Sequence, residues 1–230
     1  MQPEIIVMLT HNDVTVPDAR ACFADAADLP ITYWGFKDNG LNPSEMKLLV
    51  EDFRQAGKVP VLEAVTFDDE ELMRAVSIAI DCGMEYFTGS TFSREVAQRV
   101  HAAGLKYFPF CGQVRGPVIS LTGAPSDVVA DAVEQLRLGA DGVDLVAYRY
   151  KTGDPVALAK ELVHKVGEKR VVIAGSINSR ERMEMMEEIG PFGFTIGGAL
   201  FEGAFRPGRS FGENLTKVVA IQNELRGAAK

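Results

Sequence analysis

Eight short apolar runs, each followed by a stretch with helical spacing, recur through this sequence at nearly constant intervals. They are Glu4–Leu9, Ile31–Phe36, Val59–Val65, Glu85–Thr88, Leu105–Phe110, Gly142–Ala147, Arg170–Ala174 and Phe192–Ile196. All are rich in β-branched and aromatic side chains, as strands require. Their starts lie 27, 28, 26, 20, 37, 28 and 22 residues apart, about the length of one strand, one helix and two loops. Cap residues mark the helical stretches: Asn42, Ser93, Asp154 and Ser179 stand at starts, while Gly57, Gly83, Gly104, Gly139, Gly167 and Gly190 stand just past ends. That asymmetry is expected at helix termini. Alternating strands and helices allow a closed (β/α)8 barrel or an open doubly wound sheet. Right-handed crossovers and eight near-equal units favour the closed TIM barrel. An open dinucleotide-binding sheet would carry glycines after its first strand, and Met8-Leu9-Thr10-His11-Asn12-Asp13 has none.

The 230 residues are then spent on one domain covering 1–230, with no linker or low-complexity tract to divide it. The widest gap, Cys111–Ala124, reads as a loop or lid after the fifth strand. With 24 Lys and Arg against 32 Asp and Glu, the net charge of −8 argues against a nucleic-acid partner or an anionic membrane surface. No apolar run approaches a membrane span, and the MQPEIIVML start has neither a basic region nor a cleavage site. Three scattered cysteines form no CxxC pair, so a reducing, cytoplasmic setting is expected.

In a barrel, functional groups gather at the carboxyl ends of the strands, and a phosphate site is often built from the loops after the seventh and eighth. The seventh strand runs into Ala174-Gly175-Ser176-Ile177-Asn178, and the eighth into Gly197-Gly198-Ala199-Leu200-Phe201-Glu202-Gly203. Gly175, Ser176, Gly197, Gly198 and Ala199 therefore form a candidate anion cup of backbone N–H groups, with a short helix starting at Gly198. Tight turns that merely close the barrel are the bland alternative.

The segment Val171–Phe205 resembles the closing quarter of the ribulose-phosphate-binding barrels, and most of all the histidine-biosynthesis sugar-phosphate isomerases. In those, a GGI motif follows strand seven and GxALYEG follows strand eight; here the matching residues are Gly175-Ser176-Ile177 and Gly198-Ala199-Leu200-Phe201-Glu202-Gly203. The resemblance implies a phosphorylated small-molecule substrate held at these loops, with FMN, whose phosphate uses the same place in related barrels, as a further option. It does not carry the chemistry across. The first strand lacks the isomerases' aspartate, and Val61-Leu62-Glu63-Ala64-Val65 lacks the DxKxxD of the related decarboxylases.

Chemistry must come from polar residues at the strand tops. Glu63 and Asp144 interrupt apolar strands, and facing the helices either would be a bare charge in hydrocarbon, so both are expected inside the barrel. Lys37 follows the second strand, Arg149 the sixth, and His11 and Asp13 the first. Proton transfer beside a carbonyl needs a base and an acid on opposite sides, plus a cation to steady the enediolate. Glu63 or Asp144 as base and Lys37 as cation supply these for an isomerase or epimerase, with His11, Asp13 and Arg149 contacting substrate. Lys37 as a Schiff-base nucleophile would instead make a lyase, an aldolase or decarboxylase. A non-catalytic phosphometabolite-binding barrel is the third possibility.

Each residue also has a plainer use. Glu63 and Lys37 would pair inside the barrel, Asp144 would cap a loop or bind Arg149, His11 would hydrogen-bond its loop, and Asp13 would open the first helix with Pro17. No metal is expected from the histidine and carboxylate spacing, with Mg2+ between Glu63 and Asp144 left open. A homo-oligomer is also open, since Phe201, Phe205 and Phe211 offer either a packing surface or a cover for substrate.

Overall fold

The computed structural model describes residues 2–116 and 119–228. Eight parallel strands form the barrel: β1 (Glu4–Met8), β2 (Tyr33–Lys37), β3 (Val59–Ala64), β4 (Tyr86–Gly89), β5 (Lys106–Phe108), β6 (Val143–Leu145), β7 (Val171–Ile173) and β8 (Gly193–Ile196). Ladders run continuously in the order β6-β7-β8-β1-β2-β3-β4-β5. The ring closes where β5 meets β6: Asp144 N–H donates to the Pro109 carbonyl (2.8 Å), and Cys111 N–H to the Asp144 carbonyl (3.2 Å). The fold is a (β/α)8 barrel.

Helices α1 (Ala19–Ala26), α2 (Pro43–Gln55), α3 (Asp69–Cys82), α4 (Arg94–Ala102), α5 (Pro125–Arg137), α6 (Pro155–Val166) and α7 (Arg180–Ile189) surround it, followed by the short α8 (Gly198–Phe201) and the terminal α9 (Phe211–Ala228). Side-chain caps hold several starts. Asn42 and Glu45 exchange hydrogen bonds in a capping box on α2, and Asp68, Ser93, Asp154 and Ser179 accept backbone N–H groups on α3, α4, α6 and α7.

Strand alternation splits the core in two. Outward residues such as Val7, Trp34, Phe36, Leu62, Phe87 and Ile173 pack under the helices. Inward residues Ile6, Met8, Val61, Tyr86, Phe108 and Val172 fill the barrel, with Tyr33, Val59 and Phe192 at its amino-terminal end. Because side chains repeat every two residues along a strand, the inward set continues upward from Tyr33 and Gly35 to Lys37 and from Val59 and Val61 to Glu63.

Three expectations change. Lys37 belongs to β2 itself and is the ladder partner of Glu63, rather than following the strand. The Cys111–Ala124 stretch, read as a loop or lid, contains an antiparallel ribbon, Gln113–Arg115 with Ser120–Thr122; Pro117 and Val118 lie outside the described residues. Asp13 does not open α1, whose N-cap is Asp18. It sits instead at the tip of a hairpin pairing Thr10–His11 with Val14–Thr15, where Asn12 (φ 52°) and Asp13 (φ 61°) make the left-handed turn that two-residue hairpins favour. The last described element is α9. Phe211 is buried, and its ring centroid lies 4.8 Å from that of Phe201, so these two rings pack within the chain.

Gly89 ends β4 with φ 80°, and a Cβ there would press on the Ala64 carbonyl of β3. Neither strain nor overlap can be relieved inside the ladder. Gly89→Ala should lower stability by about 2–4 kcal/mol, combining left-handed strain with overpacking. Urea unfolding checks this, and an unchanged midpoint would contradict it.

Candidate active site

The carboxyl ends of the strands enclose a cavity of about 290 Å³. One wall is the glycine cup: Gly175, Ser176, Ile177 and Asn178 after β7, and Gly197, Gly198 and Ala199 where β8 turns into α8. The first N–H groups of a helix have no partner within it, so the start of α8 directs donors at this wall. Gly175 has φ 54°, a left-handed conformation that favours glycine, and a Cβ there would stand 3.4 Å from the Arg149 Nε, an ordinary contact. Its amide is already engaged, donating to Thr195 Oγ1 at 3.2 Å. Glycine here serves conformation and access rather than supplying a free donor.

Facing the cup is a charged cluster. Lys37, only 4% exposed, has its Nζ 2.7 Å from Asp13 Oδ1 and 3.9 Å from Glu63 Oε2. Arg149 Nη1 stands 3.7 Å from Asp13 Oδ2. Burial alone would lower the Lys37 pKa, but the charges of Glu63 and Asp13 outweigh it and the value is raised, which keeps the ammonium charged. Asp13 mirrors this: burial would raise it, and Lys37 and Arg149 pull it below the ordinary aspartate value.

Asp144 is brought inside the barrel but not to the cavity. It is fully buried, absent from the cavity wall, and neither carboxylate oxygen has a hydrogen-bond partner. It neither caps the following loop nor pairs with Arg149, which turns to Asp13 instead. Burial, reinforced by the Glu63 charge and opposed by Lys37, drives its pKa well above the aspartate value, which favours the neutral acid. A magnesium ion between Glu63 and Asp144 does not fit, because Lys37 lies against Glu63 and Asp144 does not open onto the cavity. Among the described residues, no group of three or more His, Cys, Asp or Glu side chains is placed to hold a metal. His11 stands outside the wall, its Nε2 3.5 Å from Glu202 Oε1 and its ring stacked on Phe201.

Several wall residues were not singled out in the sequence: Thr10, Asn12 and Thr195, with Phe110, Ile119 and Val146 as an apolar side. Thr195 was findable, since alternation along β8 puts it on the inward side with Gly193. Ile119 gave no signal, because only the ribbon's fold carries it over the mouth.

Fold and site together define a (β/α)8 barrel with a glycine-lined cup at its carboxyl-terminal mouth. No family model matches this sequence, and no curated protein matches it. Solved structures do share its fold. A native KDPGal structure superposes with a TM-score of 0.67 at 15% identity, over 100% of this chain and 97% of that one. The tryptophan synthase α-subunit of Pyrococcus furiosus gives 0.66 at 15% identity, over 97% and 98%, and FabK of Thermotoga maritima gives 0.62 at 14%, over 86% and 59%. At such identities the likeness is one of fold. Among the described residues, no helix is long and apolar enough to cross a membrane.

Proposed function

We propose that the protein is a sugar-phosphate isomerase or epimerase that moves a proton next to a carbonyl, with the substrate phosphate in the cup. The observation that carries this reading is the Lys37 ammonium, buried beside Glu63 and Asp13 and facing a wall of backbone donors. Glu63 is the base, Lys37 steadies the negative oxygen of the enediolate, and Arg149 spans the gap between the cup and Asp13. Returning the proton to the opposite face of the same carbon gives epimerisation; returning it to the neighbouring carbon, while a proton passes from the first carbon's oxygen to the neighbour's, gives isomerisation. Asp144 touches no substrate in this scheme. It is a positioning residue beneath the cavity, a neutral acid that keeps a second negative charge away from Glu63.

The lyase alternative through a Schiff base is less well supported. An amine nucleophile needs a lowered pKa, whereas Glu63 and Asp13 raise that of Lys37. The cavity, at about 290 Å³, lies at the small end of the ~300–1,000 Å³ range of ligand sites, which suits a short phosphorylated metabolite better than FMN.

The test is incubation with a panel of ketose and aldose phosphates in D2O, followed by proton NMR. Deuterium should enter the carbon next to the carbonyl of one substrate, and Glu63→Gln should slow this by about 10²–10⁴-fold. Exchange that is unaffected in Glu63→Gln would reject the assigned base. Phosphate binding with no exchange in any substrate would favour a non-catalytic binding barrel.

A further inference from the structure

We propose that Arg182 and Tyr148 set the β7 half of the anion cup by fixing one peptide plane, which aims the Ile177 N–H into the cavity as an anion donor. This rests on the anion site proposed above and adds two residues, Arg182 and Tyr148, that neither glycine motif contains. The Gly175 amide is committed to Thr195 Oγ1, so donors on this side must come from further along the loop. The next carbonyl, that of Ser176, accepts a hydrogen bond from Arg182 Nη1. Arg182 belongs to the first turn of α7, outside the barrel, and its own N–H donates to the Ser179 cap. No peptide bond among the described residues is cis. In a trans peptide the C=O and N–H point in opposite directions. A Ser176 carbonyl held toward α7 therefore turns the Ile177 N–H the other way. The Ile177 side chain is in the core and the residue borders the cavity, and its only polar groups there are those of its backbone.

The clamp has a second part. The Arg182 guanidinium carbon lies 4.3 Å from the Tyr148 ring centroid, a cation–π contact that fixes the plane of the donor. Tyr148 sits in the short turn Ala147–Arg149 after β6. That one turn sends Arg149 into the cavity and sets Tyr148 against Arg182, so the loop after β6 grips the loop after β7 from two sides. Lysine cannot reproduce this, because its ammonium has neither the flat face nor the fixed fork.

Inorganic phosphate is the probe, followed by calorimetry and by the amide spectrum of 15N-labelled full chain. In the native protein, saturating phosphate should move the Ile177 amide proton strongly downfield and the Gly175 amide far less. Arg182→Ala should weaken phosphate binding about tenfold, the equivalent of one lost hydrogen bond, and abolish the Ile177 shift. Arg182→Lys, which keeps charge and bulk and guards against misfolding of the alanine variant, should restore only part of both. A native protein that binds phosphate without moving Ile177, or an Arg182→Lys variant equal to the native protein in both readouts, would overturn the clamp while leaving the cup intact. No phosphate binding by the native protein would overturn both.

Discussion

Asp144→Asn should make the protein more stable, and increasingly so as pH rises. In the native state the carboxyl is buried without a hydrogen-bond partner and has a pKa well above the aspartate value. In the unfolded chain it ionises near pH 4. Between those two values the native state binds the extra proton, so native stability falls by about 1.4 kcal/mol per pH unit. Asparagine keeps the shape and has no proton to lose. Urea unfolding at a series of pH values above 4 should therefore show the variant gaining steadily on the native protein until the native pKa is passed, with the two nearest each other at the acid end. Parallel stability curves would mean that Asp144 is ionised in the fold and that its neutrality plays no part in the site. Equal proton exchange is expected if neutrality beside Glu63 is all that Asp144 supplies, because asparagine is uncharged too. Slower exchange would mean that the acid's own proton acts on Glu63.

The barrel was legible because its signals are local. Periodicity, caps such as Asn42 and Ser179, and glycines after helices each depend on a few adjacent residues, and eight repeats allow little besides closure. The inward placement of Glu63 and Asp144 was legible for the same reason: a charge in an apolar strand has only one tolerable direction. What the sequence did not disclose was depth. Asp144 and Glu63 obey the same alternation, yet one lies below the cavity and the other on its wall, because depth depends on strand stagger around the ring. Pairings across the mouth were hidden too. Arg149 follows Asp144 closely in sequence but reaches Asp13, carried there by a hairpin where a helix start was expected. Arg182 showed only as a charge on a helical stretch, since its partners, the Ser176 carbonyl and the Tyr148 ring, come from other loops.

Lys37→Met should be the most damaging single change at the site. Lys37 is the cation shared by Asp13 and Glu63, and methionine fills its volume while leaving two carboxylates facing each other. Removing one partner of a buried ion pair costs about 3–5 kcal/mol, and Arg149 relieves only Asp13. The loss depends on pH in a defined sense. The raised Lys37 pKa gives stability that is complete below the unfolded value near 10.4 and disappears above it as pH passes the native value. The lowered Asp13 pKa gives stability that is present above about pH 4 and disappears on acidification. The variant should thus be weakest relative to the native protein across neutral pH, and the gap should narrow on acidification as the Asp13 carboxylate takes up its proton. If the ammonium also steadies an enediolate, proton exchange should fall by about 10²–10³-fold even where the variant remains folded. Borohydride treatment of the native protein with its substrate separates the two chemistries open to a buried lysine. An unmodified Lys37 by mass spectrometry fits an ammonium that stays protonated, whereas a reduced adduct on Lys37 would make it a nucleophile and the protein a lyase. In that case Asp13 and Glu63 would have to give up their hold on the ammonium when substrate binds, and the native structure, in which they raise its pKa, would be a resting state rather than the reactive one.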